Sequence, residues 1–319
     1  MSDVVAVASR SFSSDSFLRD SLLALYPKAR FNESGKSLSG KELVDFLKGA
    51  PKAIIALEKV NQELVNQLPD LKLISKYGVG LDNIDFTALE KNNVRLSWTG
   101  GVNRRSVAEL TLHFILGTVR GSFHSHHDLQ NNHWFQFKGY NLSGKTVGIV
   151  GLGHVGKELV PFLKPFGVKI LAYDLKERSG YCQENAITQV SNLEDLLSNS
   201  DVITIHVPHT SLTHMFFDEK RMAKIKKGSF LVNTARGGIV DETALFEMLK
   251  SGHIASAAFD VFDNEPLADE NLMSLRNFYF TPHIGGSSVE SIRAMGLAAI
   301  EGLSTGKIAR PENFFDYPL

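Results

Sequence analysis

Apolar runs rich in β-branched residues alternate with amphipathic helical patterns along nearly the whole chain. Such alternation is typical of α/β proteins built on mostly parallel sheets. A helix is predicted over Ser39–Lys48, where Ser39 is a suitable N-cap and Glu42 stands in position to complete a capping box. Residues 1–100 contain enough elements for one open-sheet domain. Their apolar runs predict strands at Val4–Ala8, Ala53–Leu57, Leu73–Ser75 and Val94–Leu96.

A second set of alternating elements begins after residue 100. It contains a long helical pattern from Arg104 to about His127 and a last one from Ser288 to about Leu303. The last helix follows the completed second sheet, so it either caps that sheet or crosses back to the first domain. Two domains are also the natural expectation for 319 residues, because single cores rarely grow to that size. The apolar runs predict strands at Thr146–Val150, Val202–Val207, Phe230–Asn233, Ala257–Val261 and Phe278–Thr281.

The strongest single motif is a glycine-rich turn after the first strand of this second set. Gly151, Gly153 and Gly156 form the pattern G-x-G-x-x-G, followed by a helical segment and a second apolar run. In dinucleotide-binding units the first glycine permits a tight turn, the second lets a pyrophosphate approach, and the third lets the helix pack closely. Asp174 ends the second apolar run, at the position where a carboxylate accepts hydrogen bonds from the adenosine ribose. The motif therefore predicts that the chain binds NAD.

The composition is that of a globular protein without a strong charge bias. It is 43% hydrophobic and 22% charged, with a net charge of −1, which argues against nucleic-acid and membrane-surface partners. Cys182 is the only cysteine, so no intrachain disulfide can form, and this fits a reducing compartment. No signal peptide and no apolar run long enough for a membrane helix is present. We therefore expect a cytoplasmic protein.

Three segments at the ends of predicted strands carry groups suited to hydride-transfer chemistry. Arg236 follows one strand, and an arginine there can form two parallel hydrogen bonds to a carboxylate. Glu265 lies in an acidic turn, where Pro266 restrains it to extended geometry. His283 lies just past a third strand, and histidine is the side chain best suited to exchange a proton near neutral pH. Taken alone, each of these residue types in such a turn is more often structural than functional.

Together with the glycine motif, these residues resemble the D-isomer-specific 2-hydroxyacid dehydrogenase family, which includes phosphoglycerate, glycerate and D-lactate dehydrogenases. Several sequence blocks occur in the family's order, and such a series is far more specific than any single block. The matching blocks are residues 78–85, 107–111, 151–156, 206–208, 233–238, 260–261, 265–266 and 281–283.

The resemblance implies a fold, a domain division and an assembly. We expect an α/β protein with two open parallel-sheet domains. A flavodoxin-like substrate-binding domain would comprise residues 1–100 and 286–319, and a Rossmann NAD-binding domain residues 101–285. It also implies a homodimer formed through the NAD-binding domain and the long helix from Arg104.

The resemblance further implies catalytic roles for three residues. Arg236 would hold the substrate carboxylate and polarise the carbonyl group. His283 would be the general acid in reduction and the general base in oxidation. Glu265 would bind the far ring nitrogen of His283, fix its tautomer and stabilise the imidazolium form.

Cofactor and substrate contacts are implied in the same way. Asp260 would contact the nicotinamide carboxamide, and backbone groups at His154 and Val155 would face the pyrophosphate. The Asp174 carboxylate predicts NAD rather than NADP, a preference softened by nearby Lys176 and Arg178. The expected cofactor-binding residues are Gly151, Gly153, His154, Val155, Gly156, Asp174, His206, Val207, Pro208, Thr213, Ala235 and Asp260. The expected substrate-binding residues are Lys76, Val79, Gly80 and Arg236.

Lys76 marks a departure from the phosphoglycerate-type pattern, which often has arginine at this position. A lysine is cationic but lacks the two-pronged geometry of arginine. We expect Lys76 to help select substrates with a second anionic group. A further arginine, usual in those members, has no counterpart on the strand Ala53–Leu57. The sequence therefore predicts a small 2-hydroxyacid or 2-oxoacid as substrate and leaves a phosphoglycerate-like compound as one possibility.

Two other interpretations of the sequence compete with a dehydrogenase. A non-catalytic, NAD-sensing regulator of the same family would retain the same three catalytic residues, so these residues do not separate the two functions. The second is a metal site in the histidine-rich segment, but the spacing of its side chains does not suit a shared ion. No metal is predicted, and the segment is expected to be a solvated stretch near the dimer-forming helix. Its histidines are His124, His126, His127 and His133.

Overall fold

A computed structural model of the chain describes residues 4–314. Its strands are β1 (Val5–Val7), β2 (Arg30–Phe31), β3 (Lys52–Ile55), β4 (Leu73–Lys76), β5 (Arg95–Ser97), β6 (Thr146–Val150), β7 (Lys169–Tyr173), β8 (Ile187–Gln189), β9 (Val202–Ile205), β10 (Ser229–Asn233), β11 (Ile254–Phe259), β12 (Phe278–Phe280) and β13 (Lys307–Ile308). Its α-helices are α1 (Arg10–Ser14), α2 (Ser16–Leu25), α3 (Gly40–Leu47), α4 (Gln62–Asn66), α5 (Phe86–Lys91), α6 (Arg104–Arg120), α7 (Ser122–Gln130), α8 (His154–Leu163), α9 (Ser179–Asn185), α10 (Leu193–Asn199), α11 (Glu219–Met222), α12 (Glu242–Lys250), α13 (Glu270–Met273) and α14 (Val289–Gly302).

The chain forms two compact units. The first unit comprises the residues up to Asn103 together with those from Ser287 onward. Its sheet has the order β2-β1-β3-β4-β5, all parallel, with β13 added antiparallel to β5. This order, 2-1-3-4-5, is that of flavodoxin-like doubly wound sheets. The last helix, α14, packs on this sheet, where the Ser75 hydroxyl donates a 2.7 Å hydrogen bond to the carbonyl oxygen of Ala299.

The second unit, Arg104–Gly286, contains a seven-stranded parallel sheet. Its order is β8-β7-β6-β9-β10-β11-β12, so the direction of winding reverses between β6 and β9. This is the Rossmann order 3-2-1-4-5-6 with one further strand, and ligands bind at the point of reversal in such sheets. Every residue of β9 and β10 is buried, which explains why these strands are continuous apolar runs. The predicted fold class is confirmed.

Two predicted helix features are wrong. The pattern from Arg104 to His127 does not form one helix, because Gly121 adopts a left-handed conformation with φ +63° and separates α6 from α7. Ser39 does stand at the N-cap of α3, but its side chain makes no capping hydrogen bond, so the predicted capping box is absent there.

The helix that follows the glycine-rich turn contains an internal proline. Pro161 lies in α8 and lacks the N–H that would bond to the carbonyl oxygen of Lys157 one turn earlier. The hydroxyl of Tyr181, in α9, donates a 3.0 Å hydrogen bond to that oxygen. Tyr181 thus supplies the carbonyl oxygen of Lys157 with the donor that Pro161 cannot provide.

The histidine-rich segment is only partly solvated. His126, His127 and His133 are exposed, but His124 is buried and its ring packs against Phe137. Burial lowers the pKa of His124. Among residues 4–314, no three His, Cys, Asp or Glu side chains are grouped closely enough to hold a metal ion. No helix in this range combines the length and apolar character needed to cross a membrane.

Candidate active site

The glycine-rich turn joins β6 to α8 and depends on close backbone approach. Gly151 has a φ of +98°, and a Cβ atom there would lie 2.6 Å from the carbonyl oxygen of His206. A Cβ atom at Gly156 would lie 2.2 Å from the carbonyl oxygen of Gly151. By contrast, nothing lies within 4 Å of the Cβ position of Gly153. The turn is therefore tightly packed at its first and last glycines and open at the middle one, which suits a pyrophosphate against the backbone.

Helix α8 begins directly after this turn. Gly153 is its N-cap, and His154 and Val155 are its first two residues. First-turn N–H groups have no partner within a helix and carry the positive end of its dipole. This end of α8 can therefore accept an anionic group of a nucleotide.

Asp174 follows β7 and is hydrogen-bonded to the glycine-rich turn. Its Oδ2 atom accepts from the N–H of Leu152 at 2.8 Å, and its Oδ1 atom accepts from the N–H of Lys176 at 2.8 Å. The Nε atom of Arg178 lies 3.7 Å from Oδ1. Two backbone amides thus orient the carboxylate, and a cationic side chain stands beside it.

His206 follows β9, on the other side of the point of reversal. Its Nε2 atom forms a 2.9 Å hydrogen bond with the hydroxyl of Thr204, and its N–H donates to the carbonyl oxygen of Val150 at 2.7 Å. Burial of the ring lowers the pKa of His206 from 6.5 to about 3. The imidazole is therefore neutral at neutral pH, so it is not suited to bind phosphate as a cation.

The loop after His206 is closed by the hydroxyl of Thr213. This hydroxyl donates to the carbonyl oxygen of Pro208 at 2.6 Å and accepts from the N–H of Thr210 at 2.8 Å. Val207 lies against the glycine-rich turn, with its Cγ1 atom 3.0 Å from the Cβ position of Gly151. The structure therefore places Val207 at the turn, while the buried Thr213 side chain shapes the loop.

Arg236 lies in a turn that a buried asparagine organises. Asn233 ends β10, accepts from the N–H of Ala235 at 3.0 Å and donates to the carbonyl oxygen of Arg236 at 3.0 Å. The Nη1 atom of Arg236 donates to the carbonyl oxygen of Ala235 at 2.7 Å. The oxygen and the nitrogen of the Asn233 side chain thus both bond to the backbone of the turn, which fixes the position from which the Arg236 side chain extends.

Asp260 organises the segment that carries the candidate acid–base residue. It is 1% exposed. Its Oδ1 atom accepts from the N–H of Ile284 at 2.7 Å and from the hydroxyl of Thr281, and its Oδ2 atom accepts from the N–H of Gly285 at 2.7 Å. Both carboxylate oxygens are therefore engaged by the loop around His283.

Glu265 and His283 form a direct pair. The Nδ1 atom of His283 lies 2.8 Å from the Oε2 atom of Glu265, and the Oε1 atom accepts from the N–H of Phe262 at 3.1 Å. His283 has a φ of +55°, a conformation uncommon for a residue with a side chain. Its N–H donates to the carbonyl oxygen of Thr281 at 2.9 Å. Because Nδ1 faces the carboxylate, Nε2 is the ring nitrogen that can exchange a proton with a substrate.

The turns that carry these groups are neighbours at one edge of the seven-stranded sheet. β10, β11 and β12 are adjacent and parallel. Past their ends, the N–H of Asp260 donates to the carbonyl oxygen of Asn233 at 2.9 Å, and that of Thr281 to Phe259 at 3.0 Å. The edge thus combines a guanidinium-bearing turn with a carboxylate-oriented imidazole.

The other predicted substrate residues, Lys76, Val79 and Gly80, belong to the first unit. Lys76 is the last residue of β4 and is 6% exposed. Val79 and Gly80 lie in the following loop, where the indole Nε1 of Trp98 donates to the carbonyl oxygen of Val79 at 3.0 Å. Both loop residues are partly exposed.

Several residues of the site were not anticipated from the sequence. Asn233 and Thr281 occur in the matching blocks. The bond of Thr281 to Asp260 joins the ends of two strands that only the fold brings together, and the bonds of Asn233 depend on the conformation of the turn that follows it. A polar residue that ends a fully buried apolar run was the available signal for Asn233. Trp98 lies outside the blocks, and no sequence signal pointed to its bond with Val79.

Comparison with known proteins places this architecture in a family. Residues 112–285, more than half of the chain, match the family described as D-isomer specific 2-hydroxyacid dehydrogenase, NAD binding domain. A D-3-phosphoglycerate dehydrogenase of Methanocaldococcus jannaschii is 35% identical over 283 residues, which cover 88% of this chain and 54% of that protein. The chain therefore spans about half the length of this relative.

Two further relatives match over more of their own length. A glyoxylate reductase of Thermofilum pendens is 37% identical over 253 residues, covering 77% of this chain and 75% of that protein. The solved structure of a D-lactate dehydrogenase from Aquifex aeolicus, complexed with NAD and lactic acid, has a TM-score of 0.81 and 27% identity. That comparison covers 94% of this chain and 93% of the other.

Proposed function

The chain belongs to the D-isomer-specific 2-hydroxyacid dehydrogenase family, and on this premise we propose that it is an NAD-dependent oxidoreductase. It interconverts a D-2-hydroxyacid and its 2-oxoacid by hydride transfer. The observation that carries the proposal is the 2.8 Å pair of Glu265 and His283, beside the turn of Arg236 in a sheet that also bears the glycine-rich turn. The relatives found bear the names of enzymes, which favours catalysis over a regulatory role.

NAD, when bound, supplies or accepts the hydride. The protein binds the substrate's carboxylate and transfers the proton. Arg236 binds the substrate carboxylate and polarises the carbonyl group through its planar guanidinium. In reduction, Nε2 of His283 donates a proton to the carbonyl oxygen; in oxidation, it removes the hydroxyl proton. Glu265 bonds to Nδ1 and so orients the ring, which leaves Nε2 for the substrate. Asp260 and Asn233 hold the two loops in place.

The proposed NAD site lies on the glycine-rich turn and the start of α8. The open middle glycine and the two close approaches in the turn fit a dinucleotide pyrophosphate. Preference for NAD over NADP rests on Asp174, whose charge repels a 2′-phosphate. Arg178, 3.7 Å from that carboxylate, weakens the repulsion, so we expect a preference and not exclusion.

The assembly we propose is a homodimer formed through the NAD-binding unit. Supporting it, the segment after α7 exposes large aromatic side chains: Trp134 is 84% exposed and Phe135 is 63% exposed. Phe137 and Tyr140 are also exposed nearby. A cluster of this kind is typical of an association surface. A cytoplasmic location, supported by the single cysteine, is part of the same proposal.

An NADH oxidation assay against a panel of 2-oxoacids tests the activity and the cofactor preference together. The panel contains glyoxylate, pyruvate, hydroxypyruvate and phosphohydroxypyruvate, each tried with NADH and NADPH. We expect turnover of at least one acid and higher kcat/KM with NADH. The products of pyruvate, hydroxypyruvate and phosphohydroxypyruvate have a stereocentre, and any that forms should have the D configuration by chiral chromatography. No turnover on the panel, or an L product, would contradict the proposal.

A further inference from the structure

Lys76 is a buried lysine whose ammonium group donates hydrogen bonds to residues of its own unit. Its side chain is almost fully enclosed. The Nζ atom donates to the carbonyl oxygen of Ala56 and, at 2.7 Å, to the Oδ1 atom of Asn83. Buried lysines are rare, because an ammonium loses much hydration free energy on burial unless polar partners replace the water.

Asn83 extends this contact into a link between two loops. Its Nδ2 atom donates to the carbonyl oxygens of Ala56 at 3.1 Å and Glu58 at 2.6 Å. The backbone carbonyl oxygen of Asn83 accepts from the N–H of Val60 at 2.9 Å. The loop after β3 is thus joined to the loop after β4, with the ammonium of Lys76 bonded to both.

The loop after β4 is the one that carries Val79 and Gly80. On one side it is held by Trp98 through the carbonyl oxygen of Val79. On the other side it is held by Asn83, which Lys76 contacts directly. Loss of the Lys76 ammonium would remove a donor from two partly buried acceptors: the carbonyl oxygen of Ala56 would keep the amide of Asn83, and the Oδ1 atom of Asn83 would lose its bond to Lys76. An acceptor that loses its donor away from water favours rearrangement of the loop that bears it.

We propose that Lys76 is a positioning residue for the loop of Val79 and Gly80 and not a ligand for a second anionic group of the substrate. The inference rests on the proposed function and on the role that the family resemblance implies for Val79 and Gly80, whose backbone groups would bind the substrate carboxylate together with Arg236. That carboxylate is common to all 2-oxoacids. Lys76 therefore affects monoanionic and dianionic substrates alike, whereas an anion ligand would act on dianionic substrates alone.

Lys76→Met separates the two roles, because methionine keeps much of the apolar stem and removes the ammonium. We expect KM to rise about tenfold for glyoxylate and for phosphohydroxypyruvate by the same factor, since small displacements of binding groups are costly. The Kd of NADH should not change. Lys72→Met is the matched control: the side chain of Lys72 is exposed, and its Nζ atom donates to the nearby carbonyl oxygen of Pro69 at 2.8 Å. The KM values of this variant should equal those of the wild type.

Asn83→Asp provides a second test should Lys76→Met fail to fold. It keeps an acceptor for Lys76 but removes both amide donors, so the same uniform rise in KM is expected. Faster amide hydrogen exchange in residues 77–84 of either variant is an independent readout that needs no substrate. A wild-type protein inactive on every 2-oxoacid would contradict the proposed function, while the exchange measurement would still test the positioning role.

Two results would overturn the inference. A loss confined to phosphohydroxypyruvate would make Lys76 an anion ligand. Unchanged KM values on both substrates, with unchanged exchange in residues 77–84, would reduce Lys76 to a residue without influence on the loop.

Discussion

At the scale of single residues, the carboxylates of the site accept hydrogen bonds mainly from the protein's own backbone amides. Asp174 accepts from two backbone amides, Asp260 binds two amides and a hydroxyl, and one oxygen of Glu265 accepts from an amide. The sequence motifs predicted which acids belong to the site. They could not predict these bonds, because the amide donors are identified only once the loops have a conformation.

Arg236→Lys tests the role of the guanidinium. Lysine retains the charge but loses the paired hydrogen bonds to a carboxylate. We expect kcat/KM for reduction of an active 2-oxoacid to fall by about 10²-fold or more, with little change in the Kd of NADH. Arg221→Lys, in α11, is the matched control. Normal turnover in Arg236→Lys would limit this arginine to a structural role.

His206 predicts a pH dependence of stability. Its pKa is about 3 in the folded chain, against 6.5 as the ordinary value, so the unfolded chain takes up the proton first as the pH falls. The contribution of His206 to the free energy of unfolding should be constant above pH 6.5. Below that pH it should decline, by at most about 1.4 kcal/mol per pH unit.

Denaturant titrations of the cofactor-free protein between about pH 5 and pH 7 measure this effect before most carboxylates titrate. His206→Asn should show a shallower decline than the wild type. Parallel curves for the two proteins would show that His206 does not carry the dependence.

At the scale of elements, the strands were predictable and their ends less so. β6 matches its predicted range, because buried parallel strands are continuous apolar runs. The short edge strands β2, β8 and β13 were not predicted, since two or three residues with few buried side chains give no pattern. The break at Gly121 was also missed, because a single glycine is tolerated within many helices.

Helix α8 offers a test of how an internal proline is accommodated. Tyr181→Phe removes the hydroxyl that donates to the carbonyl oxygen of Lys157, and should cost about 1 kcal/mol of unfolding free energy. Pro161→Ala restores the N–H that this oxygen lacks. In the Pro161→Ala background, Tyr181→Phe should therefore cost clearly less. Equal costs in both backgrounds, measured by chemical denaturation, would contradict this account of α8.

At the scale of the whole molecule, the strand orders of the two sheets confirm the predicted fold class. The homodimer remains a proposal. The exposed aromatic side chains after α7 predict self-association. Sedimentation velocity should give a dimer for the wild type and a monomer for the double variant Trp134→Ser, Phe135→Ser. Phe17→Ser, at an exposed position of the first unit, should remain dimeric. A monomeric wild type would remove the proposed interface.

The central claim is that His283, oriented by Glu265, exchanges the substrate's proton. It is tested most directly by kcat for reduction of an active 2-oxoacid at saturating NADH, compared between the wild type and His283→Ala. We predict a fall of about 10²–10⁴-fold, a smaller fall for Glu265→Gln, and an unchanged Kd for NADH. His133→Ala, at an exposed position, should retain full activity. Near-normal turnover in His283→Ala would contradict the account.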